Sequence, residues 1–470
     1  MASQIQQGQR VAVSIDTASG GGPLEMWRHG VGVGGINALP LPQSVIEATR
    51  SLRPRLIRVF IQEFFGVYPE HGRYDWTRLD AYLGSIAQTG AKMVAAICIK
   101  PAEIFGGIDH AVWRPGDLDE WQSLIRALVS RYSVERELVS HWEIGNETDI
   151  GEDGGSPFLI PDPLDYAEFY RFTASSVREA APHVKVGGTA ACWVNNEPLP
   201  GFVASCAADG TPLDFISWHI YHDDWTRHAL GVREGRRLIS QLNQPAPEMM
   251  VTEWNKGFDP TSVADQALMP RRAALAAASI LAMHQQALDW SFYYHLWDQY
   301  VDPTEFGRFF SPAGVDNMYH HWNEAPHRFG LFSETCDIRP QYFVFDLLSR
   351  LGDTRLIATG GDQVDRLSLL SGQGPDSVST LLANVSLDEA VSAPLLVTVT
   401  FSHLRPGPRL LSIFRIDEDC RWDAVTRQLR PLETRRLIAR DEFECQLFLP
   451  ADSVSMVTLS ETDGAARWTP

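Results

Sequence analysis

No stretch of this chain approaches the ~18 consecutive apolar residues of a membrane-spanning helix, and its most apolar candidate, "AALAAASILAM" at 273–283, is too short. A membrane is therefore not expected as a partner. Cysteine is also scarce. The six thiols, at 98, 192, 206, 336, 420 and 445, show neither CxxC spacing nor the density of a disulfide framework. With an opening "MASQIQQGQR" that lacks the apolar core of a secretory signal, this points to reduced thiols and a cytoplasmic protein. Basic charge is in deficit: 40 Lys and Arg face 59 Asp and Glu, a formal net charge of −19. Nucleic acid and anionic surfaces need basic patches, so nucleic acid is not expected as a partner either. Internal repeats and low-complexity segments are absent.

At 470 residues the chain exceeds the ~250–300 residues at which a single core stops growing, which predicts one large domain and a smaller companion. Between about residues 30 and 300, eight β-rich runs alternate with amphipathic stretches: "GVGVGG", "LIRVFI", "KMVAAICI", "LVSHWEIG", "VKVGG", "DFISWHIY", "MMVTEW" and "DWSFYYHLW". In the intervening "DYAEFYRFTASSVREAA", Tyr166, Phe169, Tyr170 and Val177 recur at helical spacing, with Asp165 near the N-terminus. Strand then helix, eight times over, is the pattern of a closed (β/α)8 TIM barrel of the α/β class. Several of the runs are apolar nearly throughout, as strands covered on both faces should be. A doubly wound open sheet would call for a phosphate-binding glycine fingerprint, and "GVGVGG" lacks the GxGxxG register.

After about residue 350 the pattern becomes short alternating runs separated by Gly, Pro and Asp, among them "APLLVTVTF" and "SVSMVTLSE". These predict an accessory antiparallel β-sandwich. "VAVSID" at 11–16 precedes the first barrel strand and fits as a strand donated to that sandwich. The expected organisation is an N-terminal strand in 1–16, a barrel in 17–350 and a sandwich in 351–470.

In a parallel barrel the chemistry sits at the C-terminal ends of the strands. There the chain places Arg58 in the second strand, Asn146 and Glu147 after the fourth, His219 and Tyr221 after the sixth, Glu253 after the seventh and Trp297 in the eighth. Carboxylates are rarely buried without a partner or a task. Two facing each other across one mouth suit glycosidic cleavage through a covalent intermediate. Glu253 would be the nucleophile, held by Tyr221 and Arg58, and Glu147 the acid that later acts as base. Asn146 would meet the sugar 2-hydroxyl, Trp297 would form an apolar platform, and His219 would join the binding set. Glu143, inside its strand, reads as a structural partner.

The run "WEIGNE", with "TEW" ending a strand 106 residues further on and "KVGG" and "DFISWHIY" between them, resembles the clan A glycoside hydrolases and is most similar to family 39, which holds β-xylosidases and α-L-iduronidases. "WRHGVGVGGINAL", "LIRVF", "YDWTRLDAYL", "DLDEWQSLIRALVSRY" and "HRFGLFSETCDIRPQYFVFDLLSRLG" follow in the expected order. The resemblance implies a β-xylosidase-like retaining glycosidase acting on an oligosaccharide or other glycoside, with no cofactor and no metal. On matching motif positions Glu147 would be the acid/base and Glu253 the nucleophile. Two departures bear on substrate. The chain reads "GNET" where the family usually has "WNEP", and Phe60 stands where a histidine usually contacts a sugar hydroxyl, leaving Gln62 or Glu63 to take over that contact. An α-L-arabinofuranosidase or another clan A specificity stays open, as does a non-catalytic carbohydrate-binding barrel.

Lys100 and Lys256, near strand ends, are candidates for an acidic sugar or for a solvated rim. "DIGEDGG" at 149–155 lacks the spacing of an EF-hand loop, and the adjacent histidines of "YHHW" at 319–322 lack a partner at metal-ligand spacing. Both stretches, with the aromatic segment 299–329, read as walls of the cleft.

Overall fold

The computed structural model describes residues 9–243, 245–257, 270–388, 391–420, 422–423 and 425–462. A first long strand, β1 (Gln9–Pro23), leads into β2 (His29–Gly32), β3 (Leu56–Gln62), β4 (Lys92–Cys98), β5 (Val139–Ile144), β6 (Lys185–Ala191), β7 (Phe215–Tyr221), β8 (Glu248–Asn255) and β9 (Trp290–Tyr294). Strands β2 to β9 close in sequence order into a barrel, with every pairing parallel and β2 lying beside β9. β3 is buried along its whole length and β4 everywhere but Lys92, because helices cover one face and the barrel interior the other.

The helices start where local chemistry starts them. Pro163–Ala180 begins at Asp162, whose side chain accepts from the backbone N–H of Leu164 and Asp165, with Pro163 at the first helical position. Asp162 is thus the cap, and Asp165 sits in the first turn. Pro270–Gln285 is buried almost throughout because it lies between the barrel and the second sheet. Its Arg271 donates to Asp452 at 2.8 Å and to the Ser386 carbonyl at 2.9 Å, tying the two units together.

The second unit is built from β1 and from β10 (Thr354–Thr359), β11 (Leu367–Gln373), β12 (Ser377–Asn384), β13 (Leu395–Ser402), β14 (Gly407–Ile416), β15 (Glu433–Ala439), β16 (Phe443–Leu449) and β17 (Ser453–Glu461). They form one nine-stranded sheet in the order β15-β14-β17-β12-β11-β10-β1-β13-β16. Val13 and Ile15 of β1 share one apolar core with Val397 and Val399 of β13, Leu411 of β14 and Leu459 of β17, so the sheet folds over on itself as a sandwich.

The sheet is mixed rather than wholly antiparallel: β1 and β13 run parallel over Gln9–Asp16. A hairpin would force opposite directions, but the whole barrel lies between these two strands, so no short turn fixes their sense. β1 also continues past residue 16, pairing with β10 as far as Pro23. Among the described residues, no helix is long and apolar enough to cross a membrane.

Candidate active site

The stretch that ends β5 carries the first carboxylate. Gly145 adopts φ +86°, a left-handed turn that glycine makes without strain, and Glu147 itself sits at φ +40° with its N–H bonded to the Ala190 carbonyl at 2.9 Å. Left-handed backbone at a non-glycine residue is costly and is held in place by its surroundings. Gly154 closes over this turn, and a Cβ there would lie 2.1 Å from a Glu147 carboxylate oxygen. The chain leaves β5 sharply and points Glu147 into the barrel mouth.

The second carboxylate comes from β8. Its pairing with β7 shifts register between Trp218 and His219, so that His219 stands opposite Glu253. Such irregularities re-aim side chains beside functional sites. His219 Nδ1 lies 2.7 Å from a Glu147 oxygen and 3.7 Å from Glu253. One oxygen of each glutamate and a ring nitrogen of His219 fall within 4.8 Å of one another.

The two carboxylates have unlike surroundings. Glu253 accepts from Arg58 Nη1 at 2.6 Å through one oxygen and from the Tyr221 hydroxyl at 2.5 Å through the other. Among the described residues no Lys or Arg is in contact with Glu147, and burial, with a smaller push from Asp149, raises its pKa to about 8. Burial lowers the pKa of His219, so the ring brings no charge to draw the proton from Glu147.

Beneath them Arg58 is fully buried and fully engaged. It donates to Glu143 at 2.7 Å, to Glu253 at 2.6 Å and to the Asn146 side-chain oxygen at 2.6 Å. Burial works against its charge, but Glu143 and Glu253 outweigh that and hold its pKa above the ordinary value. Asn146 lines the cavity and uses one of its two Nδ2 hydrogens on the Gly154 carbonyl at 3.2 Å.

Glu147, His219 and Glu253 also make up a donor set for a cation. The Arg58 guanidinium already occupies one face of Glu253, so a second positive charge would enter against it.

These groups open on a cavity of about 400 Å³ whose lining includes Asn146, Glu147, Tyr221, Glu253, Phe60, Gln62, Tyr294 and Trp322. A family model described as "Glycosyl hydrolases family 39" matches residues 11–421. This chain belongs to glycosyl hydrolase family 39. It is 24% identical over 365 residues to a β-xylosidase of Geobacillus stearothermophilus, covering 70% of this chain and 66% of that protein. A β-xylosidase of Caldicellulosiruptor saccharolyticus is 20% identical over 336 residues, covering 66% and 64%. The chain therefore spans just under two thirds of the length of these relatives. Among solved structures, a glucosidase from Croceicoccus marinus superposes with a TM-score of 0.75 at 19% identity, over 97% of this chain and all of that one. A monomeric β-xylosidase from Caulobacter crescentus gives 0.72 at 19%, over 96% and 99%. At these identities the likeness speaks for the fold.

Within this family 39 site, not every expected residue reaches the cavity. Asn146, Glu147, Tyr221 and Glu253 line it, while Arg58 and His219 are buried behind them. Trp297 does not line it. Three residues past the end of β9, it pairs with Phe332 and packs in the barrel core, and the aromatic wall is made by Tyr294 and Trp322 instead.

Lys100 is no solvated rim residue: it is buried, with its ammonium on the carbonyls of Asp109 (2.5 Å) and Pro157 (3.0 Å). Glu63 accepts the Lys100 backbone N–H at 2.9 Å and stays out of the wall. The 149–155 loop walls the cavity through Ile150, Asp153, Gly154 and Gly155 and is itself pinned from outside. Asp149 accepts from the Cys192 N–H at 3.1 Å, and Glu152 accepts from the Ser311 N–H at 2.8 Å. Tyr294, Cys192 and Ile36 went unnoticed in sequence although each sits at or just beyond a strand end, where the same rule that found the glutamates applies.

Proposed function

We propose that this chain is a retaining glycoside hydrolase, β-xylosidase-like, acting on a glycoside or oligosaccharide. Glu253 attacks the anomeric carbon, and the glycosidic C–O bond breaks as Glu147 delivers its proton to the leaving oxygen. A glycosyl ester of Glu253 results. Glu147, now a carboxylate, takes a proton from water, which attacks the same carbon and releases Glu253. Two inversions return the starting configuration. The amide of Asn146 meets the sugar 2-hydroxyl, Tyr221 and Arg58 hold the nucleophile, and Tyr294 and Trp322 supply the apolar platform.

The observation that carries this reading is the pairing of one carboxylate raised toward neutrality by burial with another held between a cation and a phenol, their oxygens within 4.8 Å. Nearest oxygens this close are compatible with the ~5–5.5 Å carboxyl separation of double displacement. The β-xylosidase relatives favour a pentoside, and six free cysteines fit a reducing, cytoplasmic setting. A panel of 4-nitrophenyl glycosides, with the first-formed anomer read by NMR, tests the reading. Release of the retained anomer of a β-xyloside is expected. An inverted product sinks the mechanism, a preference for α-L-arabinofuranosides changes the sugar, and no turnover of any glycoside leaves a binding barrel.

A further inference from the structure

Strand β3 presents every second residue to the barrel interior. Arg58, Phe60 and Gln62 form that inward row, while Val59 and Ile61 join the core outside it. Arg58, deepest, is used up by Glu143, Glu253 and Asn146. Phe60 packs so closely on Gly35 that a Cβ there would lie 2.6 Å from its ring, and the Arg58 guanidinium covers it at 4.4 Å. Phe60 therefore offers substrate only an apolar surface. The polar group left on this wall is Gln62.

Gln62 is 2% exposed and lines the cavity. Its Nε2 donates to the Gly155 carbonyl at 3.1 Å, and because a carbonyl only accepts, this bond fixes which end of the amide is which. The other end, Oε1, is buried with no hydrogen-bond partner among the described residues. A buried acceptor left unpaired is costly, and pairing it rewards whatever ligand supplies the donor. The loop that tethers Gln62 through Gly155 also tethers Asn146 through Gly154, so both amides are held from consecutive carbonyls.

We infer that Gln62 is a specificity-determining residue whose Oε1 accepts a hydrogen bond from one hydroxyl of the sugar to be transferred, beside an apolar contact with Phe60. This rests on the glycosidase reading above and deepens it. It makes the preferred glycone one that presents a hydroxyl to Gln62 and a C–H surface to Phe60.

The test compares the fastest-cleaved aryl glycoside of the panel, 4-nitrophenyl β-D-xylopyranoside in the first instance, with its monodeoxy analogues. In the unmodified chain, removal of one particular hydroxyl should cost roughly 10- to 100-fold in kcat/KM. In Gln62→Met the parent glycoside should lose a similar factor and that analogue little, so that the penalty nearly vanishes at that position alone. If Gln62→Met does not fold, Gln62→Asn, which withdraws the oxygen but keeps an amide, carries the same comparison. A folded variant with every deoxy penalty unchanged overturns the inference while leaving the glycosidase reading intact. Failure of the unmodified chain to cleave any glycoside removes that reading and this inference together.

Discussion

The barrel mouth and the nine-stranded sheet solve the problem of an interior in opposite ways. The mouth buries Glu143, Glu147 and Glu253 around a fully buried Arg58, whereas among the described residues of the sheet no carboxylate is buried and its core is Val, Leu, Ile and Phe. Buried ion pairs are poor stabilisers, since desolvation offsets most of the attraction. Their concentration at one end of one unit therefore marks a task, and the sheet, with nothing comparable, reads as support. The contrast also separates two kinds of damage: changes in the mouth should remove turnover, and changes in the sheet should remove only stability.

The largest effect is expected from Glu253→Ala, which deletes the attacking atom. Turnover of every glycoside should fall on the scale of 10⁶-fold seen when an enzymic nucleophile is removed, with cooperative unfolding retained by circular dichroism. Substantial residual hydrolysis would place the chemistry elsewhere.

Glu147→Ala should cost roughly 10²- to 10⁴-fold, and unequally. A nitrophenyl glycoside, whose leaving group needs no proton, should still give a burst of phenol, and azide should restore turnover as a glycosyl azide of retained configuration. The pH profile sharpens this. With the Glu147 pKa raised to about 8, activity that needs the protonated acid should decline as pH rises through about 8. The same shift has a sign in stability. A carboxyl whose folded pKa lies above its unfolded value, 4.5 in this case, favours folding fully at low pH, and that contribution is lost as pH climbs from about 4.5 to about 8. Glu147→Gln should abolish the loss, so its denaturation midpoint relative to the parent should rise across that window. A constant difference would mean that Glu147 is not buried as described.

Arg58→Met would strand Glu143 and Glu253 without their cation. Removing one partner of a buried pair costs about 3–5 kcal/mol, readable by denaturant titration, and the nucleophile should lose its orientation along with it. Leu459→Ala, in the core of the sheet, should cost about 2–5 kcal/mol while kcat stays within about twofold. A large fall in kcat from that change would break the division between site and support.

Much of the barrel was legible in sequence because helix-covered strands need apolar residues on both faces, and all eight runs named there contain or overlap strands β2 to β9. The glutamates were legible because charge at the end of an apolar strand is conspicuous. Less legible was Trp297, for sequence gives an aromatic residue no direction: it turned into the core, while Trp322, from the 319–322 stretch expected to wall the cleft, turned to the cavity. Lys100 misled for the same reason, since a lysine near a strand end looks solvated until the backbone carbonyls of Asp109 and Pro157 are seen to hold it.

By itself the sequence determined which segments become strands, the order in which they close, and which carboxylates stand at the mouth, because those follow from local periodicity and from the rarity of buried charge. Tertiary structure alone decided how these groups differ. The cation on Glu253, the burial that raises Glu147, the parallel pairing of β1 with β13 and the unpartnered oxygen of Gln62 each depend on residues remote in the chain. Desolvation and hydrogen bonding are properties of a surrounding, and that surrounding exists only once the barrel has closed.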